Sequence, residues 1–275
     1  MLGIDDLPHL VSLLEDDNPV VRAALKEALA GFGDGLYDDL RAANIVLEAS
    51  QREVLESLRS GLVPDAHFEE EWAAWVAAGS GREERLETGL GLLSWAVRGD
   101  RGAVFALGEA LDHLATRYLE VLARRDHVAA VHSLAEFLFK ACGFRGDDRD
   151  YYLPRNSDLL SVIDRRLGNP ISLACVYRLV GVRAGLVIGA CNFPGHFMAR
   201  TEVEEQVFLV DCFNGGRFVG ASDLRSKLQG SAPFIDAEPE VDAVVQRAVL
   251  NLMNAYSRLG DDGRMEVYRR LAEAL

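Results

Sequence analysis

Apolar residues recur three and four positions apart through the first half of the chain, the spacing of helices that bury one face. Leu7, Leu10, Leu13 and Leu14 form one stripe, and Val20, Val21, Ala24, Leu25 and Ala28 form the next. Between them "DDNP" stops the first helix and caps the second, with Pro19 in a first turn that tolerates it. Gly31 and Gly33 close that helix. The helical period continues over residues 36–145. In "HFEEEWAAWVAAG" an acidic start suits a helix N-terminus, and Trp72, Trp75 and Val76 share a face that reads as core. His113, His127 and His132 fall in these helices as surface or core residues, and His127 and His132, five apart, do not share a helix face as a zinc pair would.

After Cys142 the pattern changes. "GFRGDDRDYYLPRNSDLLS" reads as a loop that ends with Asn156 or Ser157 capping a helix. Arg165 and Arg166 end that helix, where positive charge is favourable on a solvated face. A further helix opens at "NPISLACVYRLVGVRAG", with Asn169 as cap and Pro170 in the first turn. Two strand-like runs follow, "LVIGACNF" and "VFLVDCF", joined by the polar hairpin "TEVEEQ". "FNGG" supplies a tight turn, and the chain closes on two short helices broken at "GDDG". Helices first and strands later predict an α+β protein. Its expected parts are a helical region over 1–125, a mixed core over 126–235 and a terminal helical pair over 236–275.

Composition narrows the function. The net charge of −14 argues against nucleic acid and anionic membranes as partners, because both are bound through surplus Lys and Arg. No run of 18 apolar residues occurs and the first ten residues lack a signal-peptide pattern, so a cytoplasmic protein is expected. The four cysteines, Cys142, Cys175, Cys191 and Cys212, sit in apolar stretches without CxxC spacing and read as buried thiols. The sequence carries no HExxH motif, and no cofactor or metal is expected.

The chemistry lies in "NFPGHFMAR" and "VFLVDCF". His196 on one strand and Asp211 on the next can form a base and its orienting carboxylate. Strand alternation turns Cys212 away from Asp211 and into the core.

The order of these segments resembles the papain-like transglutaminase core, in which a cysteine at a helix N-terminus precedes a histidine and an aspartate on successive strands. "NPISLA", "FPGHF" and "VDCFNGG", taken with "FRGDDRDYYLPRNSDLLSVIDRRLG", are similar to the bacterial SirB-type family, which joins a transglutaminase-like domain to tetratricopeptide-like helices. That resemblance covers roughly residues 130–270, and more weakly the helices from about residue 83. The first two helices resemble a single HEAT-type hairpin, with Pro19 and Arg22 placed as in that pattern.

The resemblance implies a GxC-x-x-x-A motif at the start of the helix. Gly168 and Ala174 fit it, but Pro170 occupies the cysteine position. Ser172, two residues further on, and Cys175, about one turn deeper, are the candidate replacements, and burial would raise the pKa of Cys175. Two functions therefore stay open. One is a degenerate transglutaminase-like pseudoenzyme that binds a protein or peptide partner. The other is a hydrolase or acyl transferase acting on amide bonds through His196, Asp211 and a displaced nucleophile.

Overall fold

A computed structural model of the chain describes residues 3–16, 18–30, 32, 36–48, 50–51, 54–55, 58, 66–78, 82–123, 130–193, 195–227 and 232–275. Gly31, Gly33, His127 and Pro194 lie outside these residues. Helices α1 (Leu7–Ser12), α2 (Pro19–Ala30) and α3 (Leu36–Ala42) gather Leu7, Leu10, Leu14, Leu25, Leu29, Leu36, Leu40 and Leu55 into a small core of their own. Asn18 caps α2, its Oδ1 accepting from the Val20 amide at 2.9 Å. Arg22 is half-buried and reaches back to the Asp16 carbonyl at 2.6 Å, which ties α2 to the preceding turn.

The larger core spans Phe68 to Leu271. It is built by α4 (Ala66–Ala77), α5 (Arg82–Arg98), α6 (Gly102–Leu122), α7 (Ala130–Ala135, continued by a π-helical segment over Glu136–Ala141) and α8 (Leu159–Arg165). Helix α9 (Pro170–Arg183) runs through its middle. Every residue from Pro170 to Gly181 is buried, the mark of a helix with neighbours on all sides. α5, α6, α8 and the long α12 (Val241–Leu259) pack on it, and the sheet covers another side.

That sheet has four antiparallel strands in sequence order: β3 (Ile188–Cys191), β4 (Met198–Val203), β5 (Gln206–Asp211) and β6 (Arg217–Gly220). β4 and β5 are thus separate strands joined at Val203–Gln206, and part of "TEVEEQ" belongs to them. The turn residues Glu204 and Glu205 both have positive φ, 50° and 62°, as a type I′ hairpin requires. A second, two-stranded parallel sheet pairs β1 (Arg145–Gly146) with β2 (Leu167–Gly168). One face of the large sheet joins the α9 core through Ile188, Ala190, Ala199, Val210 and Cys212. The other buries Cys191, Met198 and Leu209 with Ala221 and Ile235 of the short helices α10 (Ala221–Lys227) and α11 (Ala232–Asp236).

The closing pair is longer than the sequence pattern suggests. α12 has 19 residues and stacks Tyr256 on Tyr268 of α13 (Asp262–Glu273), with ring centroids 5.3 Å apart. Gly260 ends α12 at φ +76°, and Asp261 caps α13 by accepting from the Arg264 amide at 2.9 Å.

Two adjacent glycines after β5 differ in what surrounds them. Gly215 and Gly216 have φ of +77° and +73°, but a Cβ on Gly216 would stand 2.3 Å from the Phe139 ring, whereas one on Gly215 would meet nothing within 4 Å. Gly215→Ala is expected to cost about 1–2 kcal/mol from its left-handed backbone alone. Gly216→Ala adds overpacking of about 1–3 kcal/mol. Urea denaturation of both variants checks this; equal losses would contradict it.

Candidate functional site

His196 is held where β3 turns back into β4. Its amide donates to the Phe193 carbonyl at 3.0 Å, and Gly195 takes the left-handed conformation, φ +76°, that the reversal needs. Asp211 is the last residue of β5. His196 Nε2 lies 2.8 Å from Asp211 Oδ1. With Nε2–H donated to the carboxylate, the neutral ring keeps Nδ1 as an acceptor, and Nδ1 has no hydrogen-bond partner among the described residues. The imidazole side chain is 27% exposed, so a ligand can reach it.

Asp211 is only 4% exposed and fully engaged. Asn214 donates its amide to Oδ1 at 3.2 Å and its Nδ2 to Oδ2 at 2.9 Å, and the exposed Arg217 lies 3.6 Å from Oδ2. Burial alone would raise the Asp211 pKa. The bonds from His196 and Asn214 outweigh it and hold the carboxyl below its ordinary value.

The start of α9 adjoins this pair through β1. Gly146 pairs with Gly168, two residues before Pro170, and its amide donates to the Phe213 carbonyl at 3.1 Å. Only a glycine fits there, since a Cβ would stand 2.6 Å from the Phe213 ring. That ring in turn stands edge-on to His196, centroids 6.5 Å apart. Asn169 fixes the helix start: Oδ1 accepts from the Ser172 amide at 3.0 Å, and Nδ2 donates to Ser157 Oγ at 2.8 Å.

Pro170 therefore occupies the first helical position of α9, two residues after Gly168 of β2. Ser172 lies in the same turn and is 4% exposed. Cys175 is 2% exposed, and burial pushes its thiol up to about 12, against the opposing charge of Arg178. Neither Ser172 nor Cys175 hydrogen-bonds His196. Burial likewise raises Cys142, Cys191 (to about 11) and Cys212. Cys191 points away from the α9 core, with Sγ 3.2 Å from the Phe234 carbonyl, and Cys212 faces into it.

The loop before α8 departs from expectation. Its cap is Asp158, which accepts from the Leu160 amide at 3.1 Å, because the chain turns once more over Pro154–Asn156 before the helix begins. Asn156 is fully buried and holds the loop from inside, with Nδ2 on the Asp150 carbonyl at 2.7 Å. Arg165 is not on a solvated face. It donates to Asn156 Oδ1 at 3.1 Å and to the buried Asp147 at 3.0 Å. Arg166 adopts φ +61° and lays its guanidinium 4.7 Å from the Phe144 ring centre.

This network presents Tyr151 and Tyr152, 37% and 47% exposed, beside the site. Tyr151 meets Phe213 at 5.8 Å, and Arg258 of α12 covers Tyr152 at 3.7 Å. Burial pushes the Tyr151 phenol up and Tyr152 adds to this, while the charge of Arg247 opposes it. Asn214, Phe213, Tyr151 and Arg247 are site residues that sequence reasoning passed over. Only Asn214 left a local signal, a short polar side chain three residues after Asp211 at a turn.

Comparison with known proteins places the chain in a family. The transglutaminase-like superfamily profile matches residues 106–253, more than half of the chain. The chain belongs to the transglutaminase-like superfamily. It is 45% identical over 131 residues to a UPF0162 protein of Xylella fastidiosa, covering 44% of this chain and 47% of that one. It is 30% identical over 129 residues to a UPF0162 protein of Haemophilus influenzae, with 46% of each covered. A stretch of 142 residues is 27% identical to F-box only protein 21 of Mus musculus, covering 48% of this chain and 22% of that one. The chain thus spans less than half the length of these curated relatives. No solved structure matches. Among the described residues no helix is long and apolar enough to cross a membrane.

The depressed pKa of Asp211 has a definite sign in stability. Its bonds contribute fully above the ordinary carboxylate pKa of about 4 and are lost as pH falls through the lower folded value. Asp211→Asn is expected to cost about 1.5–3 kcal/mol at pH 7 and to flatten the acid limb of the stability curve. Urea midpoints measured from pH 7 down to pH 3 test this; an unchanged acid limb would contradict it.

Proposed function

We propose that this chain is a non-catalytic transglutaminase-like module that binds a peptide or a peptide segment of a protein partner. The observation that carries the reading is Pro170 at the first position of α9, where this superfamily's motif places its nucleophilic cysteine. Proline has neither a side-chain proton to transfer nor an electron pair free to attack. No other thiol takes over, because all four are raised by burial, so few are ionised near neutral pH.

What is left around His196 suits binding. The imidazole offers an unpartnered Nδ1, Asp211 holds the ring in orientation, and Phe213 and Tyr151 give apolar surface for a side chain. Aromatic rings supply large contact area at small entropic cost, and a few fixed polar groups set orientation. The stretch shared with F-box only protein 21 covers 22% of that chain, which supports a module carried in different protein contexts.

Cysteine reactivity tests the reading. The native protein and His196→Ala are treated with iodoacetamide near pH 6.5, and the labelling rate of each cysteine is followed by mass spectrometry. All four thiols are expected to react slowly, and equally in both proteins. One fast thiol that slows in His196→Ala would mark a working thiolate–imidazole pair and favour a hydrolase or acyl transferase instead.

A further inference from the structure

One arginine bonded to the turn that carries His196 has no carboxylate partner among the described residues. Arg247, on α12, is half-buried, and its hydrogen bond among the described residues runs from Nη1 to the neutral Asn192 Oδ1 at 3.3 Å. No carboxylate among the described residues pairs with it, in a chain with 43 acidic residues against 29 basic ones. Elsewhere Arg85, Arg98, Arg165, Arg178, Arg183 and Arg264 each meet an Asp or Glu, whereas the half-buried Arg166 and Arg200 share with Arg247 the lack of a carboxylate partner among the described residues. A guanidinium taken from water without a counter-charge is unfavourable, and its planar fork matches a carboxylate in a two-bond grip.

The neighbours of Arg247 close into a circuit around the site. Asn192 stands four residues before His196. The His196 ring meets Phe213 and Phe213 meets Tyr151, and the charge of Arg247 opposes the upward shift of the Tyr151 phenol. Arg258, eleven residues along α12 and so three turns on along the same helix face, covers Tyr152 beside Tyr151. The circuit combines one cation, one imidazole and two aromatic faces. Its carboxylate, Asp211, is already taken up by His196 and Asn214.

We propose that Arg247 sets the specificity of the His196 site by gripping the carboxylate of an acidic peptide whose apolar part lies on Phe213 and Tyr151. This rests on the peptide-binding reading and adds the substrate class to it. Two sources present the same pair of oxygens: a peptide's C-terminal carboxylate, and the side chain of a Glu or Asp within it.

The test uses the full chain and three synthetic hexapeptide pools, with binding followed by NMR titration. One pool has free C-termini and no acidic side chains. The second is amidated and carries Glu. The third is amidated and neutral. At least one acidic pool is expected to bind about tenfold or more tightly than the neutral one. Arg247→Gln, which keeps an amide to bond Asn192, should erase that preference while its thermal midpoint stays near the wild-type value. Should that variant prove unstable, raised salt on the native protein supplies the check, since it should weaken the acidic pools selectively. Which acidic pool binds identifies the source of the carboxylate. Equal binding of all three pools, or a preference that survives both Arg247→Gln and salt, overturns the role of Arg247 and leaves the peptide-binding reading standing. Failure of every pool to bind overturns both. Mass spectrometry of the recovered peptides separates the remaining case. Cleaved or deamidated peptide would refute the non-catalytic reading, and Arg247 would keep its role if that turnover favours an acidic pool and loses the preference in Arg247→Gln.

Discussion

The side chain of Asn169 joins the parts of this structure that matter most. It is buried, and a buried amide must have its hydrogen bonds satisfied. Its oxygen caps α9, its nitrogen holds Ser157, and its own main-chain amide donates to the Asn156 carbonyl at 3.3 Å. Through Ser157 and Asn156 it fixes the 147–158 loop, which carries Tyr151 to the site. Through α9 it sets the helix that fills the core. Removing it would leave Ser157 and the first turn of α9 unsatisfied together, so loop, helix and site stand or fall as one unit.

The site itself pairs a turn residue, His196, with the last residue of β5, Asp211, and β1 links this pair to the helix start. His196 comes from the turn between β3 and β4 and Asp211 from the end of β5, and the turns around them decide their separation. Asn214 completes the carboxylate's bonds from the turn that follows. The outcome is an oriented imidazole with one free nitrogen among the described residues, set against the Phe213 ring, on a turn whose Asn192 bonds an arginine that meets no carboxylate among those residues. The one position from which the superfamily motif would start chemistry holds proline.

Much of this was legible in the sequence, for reasons that individual residues make plain. The pairing of His196 with Asp211 could be read because strand order and a short hairpin bring neighbouring strands together whatever the details. Pro170 and Asn169 could be read because helix starts obey local rules. Cys212 could be placed because alternation along a strand sets it opposite Asp211. Nothing in the neighbours of Arg165 reveals that Asp147, 18 residues earlier, folds back to meet it. The cap of α8 slipped to Asp158 because Pro154 adds a turn that three adjacent capping residues cannot reveal. Arg247 lay hidden for the same reason as Arg165: its setting is made by Asn192 and Tyr151, which are 55 and 96 positions away in sequence. Glu204 and Glu205 take a turn geometry that usually calls for Asn and Gly, so the boundaries of β4 and β5 carried no local mark.

The central claim is that this is a transglutaminase-like site in which the nucleophile position is filled by proline. It is tested most directly by Pro170→Cys, with iodoacetamide labelling read near pH 6.5. If α9 and His196 form one site, the new thiol should sit at a helix N-terminus beside an imidazole and label faster than any native cysteine. That advantage should disappear in Pro170→Cys combined with His196→Ala. A new thiol in a folded variant that labels no faster than Cys142, or one indifferent to His196, would contradict the account.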